Sequence, residues 1–225
     1  MMIKILLSGA NGKMGKTVQD AIAHEKDLRL VATVTRGDDL TAAIAKHQPQ
    51  VVIDFTEPAC AFDNTQKIIA ANAHPVIGTT GFKDAEIETL QKICKEKKWG
   101  AIIAPNFSIG AVLMMQFVKA AAHHFPDAEI IEYHHPHKKD APSGTARKTA
   151  AVIHESMQAS HTIPIHSVRL PGIFANQDVI FGAPGETLTI QHCTTDRSAM
   201  MPGLFLCCRR VITLDHLVYG MESLI

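Results

Sequence analysis

The chain has 225 residues, of which 46% are hydrophobic, and 22 basic residues balance 22 acidic ones to a formal net charge of zero. Such a composition supports one large folded domain or two small ones, and argues against disorder and against nucleic-acid or membrane-surface binding through overall charge. Five cysteines, Cys60, Cys94, Cys193, Cys207 and Cys208, include no C-x-x-C pair, which disfavours a disulfide framework or a cysteine zinc site and points to a reducing cytosol.

The opening stretch, MMIKILLSGANGKMG, is too briefly apolar for a signal peptide or a membrane span and reads as a buried strand over 3–7. A glycine-rich turn follows, then KTVQDAIAH, whose Val18, Ala21 and Ile22 have helical spacing. Further strands are expected at Leu28–Thr35, Val51–Phe55, the stretch ending at Gly78, and Ala101–Ala104, with helices over about 59–72 and 83–98 between them. This alternation predicts βαβ units and a parallel sheet covered on both faces. Ligands of such sheets bind beyond the carboxyl ends of the strands, where this chain has Gly, Thr, Asn and Ser.

The second half changes character. A helix is expected over 109–124, a strand in DAEIIEYHH, and a helix from Gly144 to Gln158. Strands then succeed one another near 163–170, 177–182 and 186–193, with APGE at 183–186 as a hairpin signal, before a last helix over 203–214. The fold class is therefore α/β, with a second domain built on a mixed or mostly antiparallel sheet.

Glycines at 9, 12 and 15 lie between the first strand and first helix, where they permit a tight turn and close approach of a pyrophosphate to the helix N-terminus. The spacing is G-x-x-G-x-x-G, and three glycines alone are a weak signal, with a plain strand–helix turn as the alternative; their place after the first strand of a βαβ unit favours the nucleotide-binding reading. At the end of the second strand, where NAD-preferring folds place an acid for the ribose 2′-OH, the sequence reads VTRGDD. Thr35 cannot act as a charged acceptor and Arg36 can pair with a 2′-phosphate, so NADPH is expected to bind at least as well as NADH. The alternative is that Asp38 or Asp39 serves as the ribose acceptor.

The segment EYHHPHKKDAPSGTA, 132–146, crowds three histidines, two lysines and an aspartate together. A metal is disfavoured because neighbours 134 and 135 on a strand point to opposite faces, and no H-x-x-x-H motif accompanies them. Ser143 suits the N-cap of the helix that follows, and a helix N-terminus with Lys138 and Thr145 suits a carboxylate. A histidine with an intrinsic pKa of ~6.5 can supply a proton near neutrality. The residues alone lead to a dinucleotide enzyme acting on an anionic substrate.

GANGKMG, IDFT at 53–56, VIGTTGF at 76–82, APNFSIG at 104–110 and HHPHKKDAPSGTA at 134–146 together resemble, in order, the motifs of 4-hydroxy-tetrahydrodipicolinate reductase, also called dihydrodipicolinate reductase, of bacterial lysine and diaminopimelate biosynthesis. The resemblance implies a Rossmann-like dinucleotide-binding domain over 1–105 and 203–225. It implies an α+β domain over 106–202, with a mixed, mostly antiparallel sheet, that binds substrate and assembles a cytoplasmic homotetramer. The implied reaction is reduction of 4-hydroxy-tetrahydrodipicolinate to tetrahydrodipicolinate with loss of water, using NADPH or NADH. By motif, Gly9, Ala10, Asn11, Gly12, Lys13 and Met14 would hold the pyrophosphate, and Thr35 and Arg36 would sit at the adenosine ribose. Gly78, Thr79 and Thr80, with Ala104, Pro105, Asn106 and Phe107, would line the nicotinamide side. His134 matches the family's proton donor and Lys138 its second proton donor; His135, Ser143, Gly144 and Thr145 match substrate-binding positions. One departure is Pro136, where members often carry arginine; proline removes a cation and a backbone donor.

Two other classes compete. One is another Rossmann dehydrogenase with a mixed-sheet substrate domain, of homoserine or semialdehyde type; the semialdehyde type needs a nucleophilic cysteine near the nicotinamide, and none of the five lies in a motif that suggests one. A non-enzymatic dinucleotide sensor would tolerate loss of His134 and Lys138.

Overall fold

The computed structural model describes residues 2–225, which fall into two compact units. One holds the residues up to Ser108 and those from Met200 to Ile225; the other runs from Ile109 to Ala199.

In the first unit, β1 (Ile3–Ser8), β2 (Leu28–Val34), β3 (Val51–Asp54), β4 (His74–Ile77) and β5 (Ala101–Ile103) are short apolar runs, each followed by a helix: α1 (Lys13–Ile22), α2 (Leu40–His47), α3 (Pro58–Ala70), α4 (Asp84–Lys97) and α5 (Ile109–Ala122), the last of these in the second unit. Near the chain's end α7 (Met201–Val211) and β10 (Leu217–Tyr219) return to the first unit. The sheet order is β10-β5-β4-β3-β1-β2, every pair parallel. Because side chains alternate along a strand, Leu6, Val52, Ile77, Ile103 and Leu217 share one face and bury against Ile68, Ile69, Leu90 and Cys94 of α3 and α4. The opposite face packs on α7, whose Leu204, Cys207, Cys208 and Val211 are buried.

Local signals explain the helix limits. Pro58 sits at the first turn of α3, where a missing N–H costs nothing. Asp39 caps α2 by accepting from the Thr41 and Ala42 N–H groups at 2.8 and 3.1 Å. Gln48 and Lys98 end α2 and α4 in the left-handed conformation. α1 starts at Lys13, immediately after Gly12, earlier than its apolar spacing suggested, because the glycine turn leads straight into the first helical residue. Trp99 donates its indole N–H to the Ala73 carbonyl at 3.0 Å and stacks on His74, ring centroids 4.1 Å apart and 3° from parallel.

The second unit carries β6 (Asp127–His134), α6 (Gly144–Met157), β7 (Ile165–Arg169), β8 (Ala175–Ala183) and β9 (Glu186–Thr194) besides α5. The sheet order is β7-β6-β8-β9; β7 runs parallel to β6, and the other two pairings are antiparallel. Pro184 and Gly185 form the β8–β9 turn, with Gly185 at φ +85°. The helices α5 and α6 pack against this sheet, burying Val112, Val118, Ile153, Ile130, Val179 and Phe181. Gln177, buried there, donates to the Thr149 hydroxyl at 2.9 Å. Residues 129, 131 and 133 of β6 alternate with the buried 128, 130 and 132 and form part of the other face.

Candidate active site

In the first unit the chain leaves β1 through Gly9, at φ +83°, whose N–H donates to the Val34 carbonyl at 2.9 Å. A Cβ at Gly9 would stand 2.4 Å from the Phe55 carbonyl oxygen, and one at Gly15 would stand 2.4 Å from the Gly9 carbonyl oxygen. These two glycines therefore let strand, turn and helix close on one another. At Gly12 a Cβ would meet only the Gly9 oxygen, at 3.3 Å. Gly12 thus presents bare backbone at the N-terminus of α1, the geometry that suits a phosphate group.

Two cavities open at the carboxyl ends of β1, β3 and β4. One, of about 590 Å³, is lined by Gly9, Asn11, Gly12, Thr35, Arg36 and Asp38, with Thr56 and Glu57 opposite. The other, of about 410 Å³, brings Gly12, Lys13 and Met14 together with Gly78, Thr79 and Thr80. Ala10 is buried. Neither cavity is lined by Ala104, Pro105, Asn106 or Phe107, which form the stretch after β5; Ala104 and Phe107 are buried, and the Phe107 ring meets Phe55 edge-on at 5.9 Å. A larger cavity, about 770 Å³, opens where Gln48, Gln50, His74 and Trp99 lie, at the amino ends of the strands, away from the glycine turn.

The corner after β2 holds more than the sequence suggested. Asp38 accepts from both the Thr35 N–H and the Thr35 hydroxyl, each at 2.8 Å, and these bonds hold its carboxyl below the usual range. Asp39 is occupied by its helix cap. Arg36 forms an exposed ion pair with Glu57. Beneath the corner, Asp54 has no exposed surface and accepts from the Thr56 N–H (3.0 Å) and hydroxyl (2.6 Å), Asn64 (2.9 Å) and the Thr79 hydroxyl (3.1 Å). One carboxylate thus ties the loops after β3 and β4 together. It lies inside the IDFT motif, but nothing in that motif announces its partners.

In the second unit β6 ends at His134, and the loop to α6 carries His135, Lys138 and Ser143. Ser143 caps α6, its hydroxyl accepting from the Ala146 N–H at 3.1 Å, while the N–H groups of Gly144 and Thr145 precede any intrahelical partner. Lys138 pairs with Asp140 at 2.9 Å. The His135 Nδ1 is buried without a hydrogen-bond partner, and its ring lies 6.3 Å from Phe174. His137 and Pro136 are exposed. Sequence reasoning missed Glu132 and Arg169, which underlie the cluster. The Glu132 carboxylate faces His134 Nδ1 at 2.5 Å and accepts from both terminal nitrogens of Arg169 at 2.8 and 3.0 Å. Burial pushes the Glu132 carboxyl up, but hydrogen bonds from Arg169, Ser167 and His134 outweigh it and leave it below its ordinary value. His134 is lowered, first by burial and further by Lys138 and Arg169, against an upward pull from Glu132. Among the described residues no group of three or more His, Cys, Asp or Glu is arranged to hold a metal ion.

Residues 3–107 match the model described as "Dihydrodipicolinate reductase, N-terminus", and residues 110–225 match "Dihydrodipicolinate reductase, C-terminus". The chain belongs to the dihydrodipicolinate reductase family. A 4-hydroxy-tetrahydrodipicolinate reductase of Coxiella burnetii (strain RSA 493 / Nine Mile phase I) is 52% identical over 239 residues, and one from Legionella pneumophila (strain Lens) is 42% identical over 243, each aligned over 100% of both chains. A dihydrodipicolinate reductase from Paenisporosarcina sp. TG-14, solved with dipicolinate bound, is 36% identical and superposes with a TM-score of 0.92 over 100% of both chains. As a dihydrodipicolinate reductase, the chain is an NAD(P)H-dependent oxidoreductase of lysine biosynthesis. Its reaction is the reduction of 4-hydroxy-tetrahydrodipicolinate to tetrahydrodipicolinate.

Proposed function

We propose that His134 and Lys138 are the proton donors of this reduction and that the N-terminus of α6 binds a carboxylate of the substrate. The observation that carries this reading is the convergence, in one segment, of a half-buried imidazole, a lysine and a serine-capped helix end. Reduction with loss of water needs acids beside the substrate ring, and a dicarboxylate needs a cation and free backbone N–H groups. The Paenisporosarcina relative, with its bound dipicolinate, supports a small dicarboxylate ligand. Ser143, Gly144 and Thr145 would hold one carboxylate, and the unpartnered His135 Nδ1 is free for a further contact with the substrate. An assay that generates the substrate in situ with dihydrodipicolinate synthase and follows NADPH oxidation tests the reading; no oxidation by the wild-type chain would sink it.

The nucleotide-binding residues fit a nicotinamide dinucleotide. Gly9 and Gly15 leave no room for a side chain, Gly12 presents bare backbone at a helix N-terminus, and the adjoining cavities offer space on either side. When bound, the reduced nicotinamide supplies hydride. Gly9 to Met14 would hold the pyrophosphate, Gly78 to Thr80 the nicotinamide side, and Ala104 to Phe107 would support it from the β5 loop. At the ribose, Arg36 suits a 2′-phosphate and Asp38 suits a 2′-hydroxyl. With both groups present, either cofactor is used and NADPH serves at least as well as NADH. Replacing Arg36 with alanine removes one charge-assisted contact, so KM for NADPH should rise about 10- to 100-fold while KM for NADH changes little. Equal effects on the two cofactors in initial-rate kinetics would contradict the assignment.

The domain roles follow the same division: dinucleotide binding by the first unit, substrate binding and oligomerisation by the second. On the β7-β6-β8-β9 sheet, Ile131, Tyr133, Val168 and Ile180 share the face that α5 and α6 leave uncovered, and none is fully buried in the single chain. A homotetramer built on that face would cover them. Light scattering should give about four times the 24.5 kDa chain mass, and Ile180→Asp should lower it; a monomeric wild type would exclude this assembly. Five free thiols support a reducing cytoplasmic setting. Among the described residues no helix is long and apolar enough to cross a membrane.

A further inference from the structure

Among the described residues of the second unit, Glu132 is the one carboxylate with no exposed surface. Both of its oxygens are fully engaged. Oε1 accepts from the Ser143 N–H at 3.2 Å and from Arg169 Nη2 at 2.8 Å. Oε2 accepts from Arg169 Nη1 at 3.0 Å and faces His134 Nδ1 at 2.5 Å. Strand geometry makes this possible. Glu132 and His134 lie two apart on β6 and share a face, and the parallel register sets Ser167 beside Glu132 and Arg169 beside His134.

Fold stability alone does not account for such a group. A buried ion pair is often no better than a well-packed apolar pair of similar volume. What the carboxylate supplies that an apolar residue cannot is direction. An ionised carboxylate accepts only, so the imidazole nitrogen beside it must carry a proton.

We infer that Glu132 is a positioning residue of the reaction: it holds the Nδ1–H of His134, so that Nε2 alone takes up and delivers the proton. Through its other oxygen the same carboxylate fixes Ser143, the cap of the anion-binding helix. The proton donor and the carboxylate cradle are thereby registered to a single group, which Arg169 holds through two hydrogen bonds. The inference rests on the reading of His134 as proton donor.

The charged groups facing the His134 ring are Glu132 on its own strand, Arg169 from β7, and Lys138 from the loop, itself paired with Asp140. Loss of the Glu132 charge disfavours the imidazolium; loss of the Arg169 charge favours it. If the imidazolium is the donor, the activity limb that falls with rising pH reports its titration. In Glu132→Gln that limb should move to lower pH by about 1 unit or more, with kcat reduced and KM for NADPH within twofold of wild type. In Arg169→Gln it should move to higher pH, and Arg169→Lys, which retains the charge, should restore it toward wild type. A merely structural role would lower activity in both without opposite displacements.

Imidazole 15N spectra of the wild-type enzyme give a reading that does not depend on the variants' folding. Neutral His134 should be the Nδ1–H tautomer; an Nε2–H tautomer would overturn the proposal. So would a Glu132→Gln enzyme whose limb coincides with that of wild type. His134→Gln separates the two levels. If it keeps both kcat and the limb, the histidine's own role fails. If it loses them while Glu132→Gln leaves the limb unmoved, only the role of Glu132 fails.

Discussion

His134→Gln and Lys138→Ala should each lower kcat by ~10²-fold or more, the range expected for removal of a general acid. The effect should fall on kcat more than on KM for NADPH, because both side chains belong to the second unit and the cavities proposed for the dinucleotide are lined wholly by the first. Glutamine retains the volume and a hydrogen-bonding end but cannot release a proton, which makes His134→Gln the cleaner of the two. Lys138→Ala also frees Asp140 from its 2.9 Å partner, so a structural cost is expected beside the catalytic one. Thermal unfolding of each variant separates them. Wild-type turnover in both variants would mean that groups other than His134 and Lys138 supply the protons.

Arg169→Met should produce the largest loss of stability of any single change near the site. It strips both guanidinium bonds from a carboxylate that has no access to water. Breaking a buried pair from one side costs roughly 3–5 kcal/mol, because the remaining charge is left without compensation. The pH dependence gives the sign. In the wild type the Glu132 carboxyl is held below its unfolded value, so its contribution is fully present above that value and is lost as pH falls through the lower folded one. In Arg169→Met burial dominates and the carboxyl rises above the unfolded value, so the variant regains stability as pH falls and Glu132 takes up a proton. The gap between the two proteins in urea unfolding should therefore be widest near neutrality and narrow near pH ~4.5. A constant gap across that window would mean that packing, not charge, is what Arg169 contributes.

The elements readable in the sequence are those whose burial is complete or strictly alternating. β1, β3 and β4 are short apolar runs because helices cover both faces of their sheet, and β6 alternates because a single face is covered. Two elements escaped. α2, LTAAIAKH, is built largely from small residues, and only Leu40 and Ile44 are buried, so its periodicity is faint even though Asp39 is a sound cap. β10 has three residues and exists because it pairs with β5, more than a hundred positions earlier in the chain. The same distinction divides the site. His134, Lys138 and Ser143 were visible because they are contiguous and end at a helix start. Glu132 was quotable but mute, since its meaning depends on Arg169, 37 residues away, and that contact follows from the β6–β7 register. Asp54 is a similar case, its partner Asn64 lying on α3 and its partner Thr79 on the loop after β4.

Trp99 is the chain's single tryptophan, and it sits in the first unit, hydrogen-bonded to Ala73 and stacked on His74. Intrinsic emission excited at the red edge therefore reports on the first unit and is blind to the other. An Arg169→Met enzyme that melts only around β6 and β7 would look intact to a fluorimeter while its circular dichroism falls. The two signals together give a spectroscopic separation of the halves that needs no added label, with Tyr133, bonded to Asp178 at 2.9 Å, as the near-ultraviolet marker of the second.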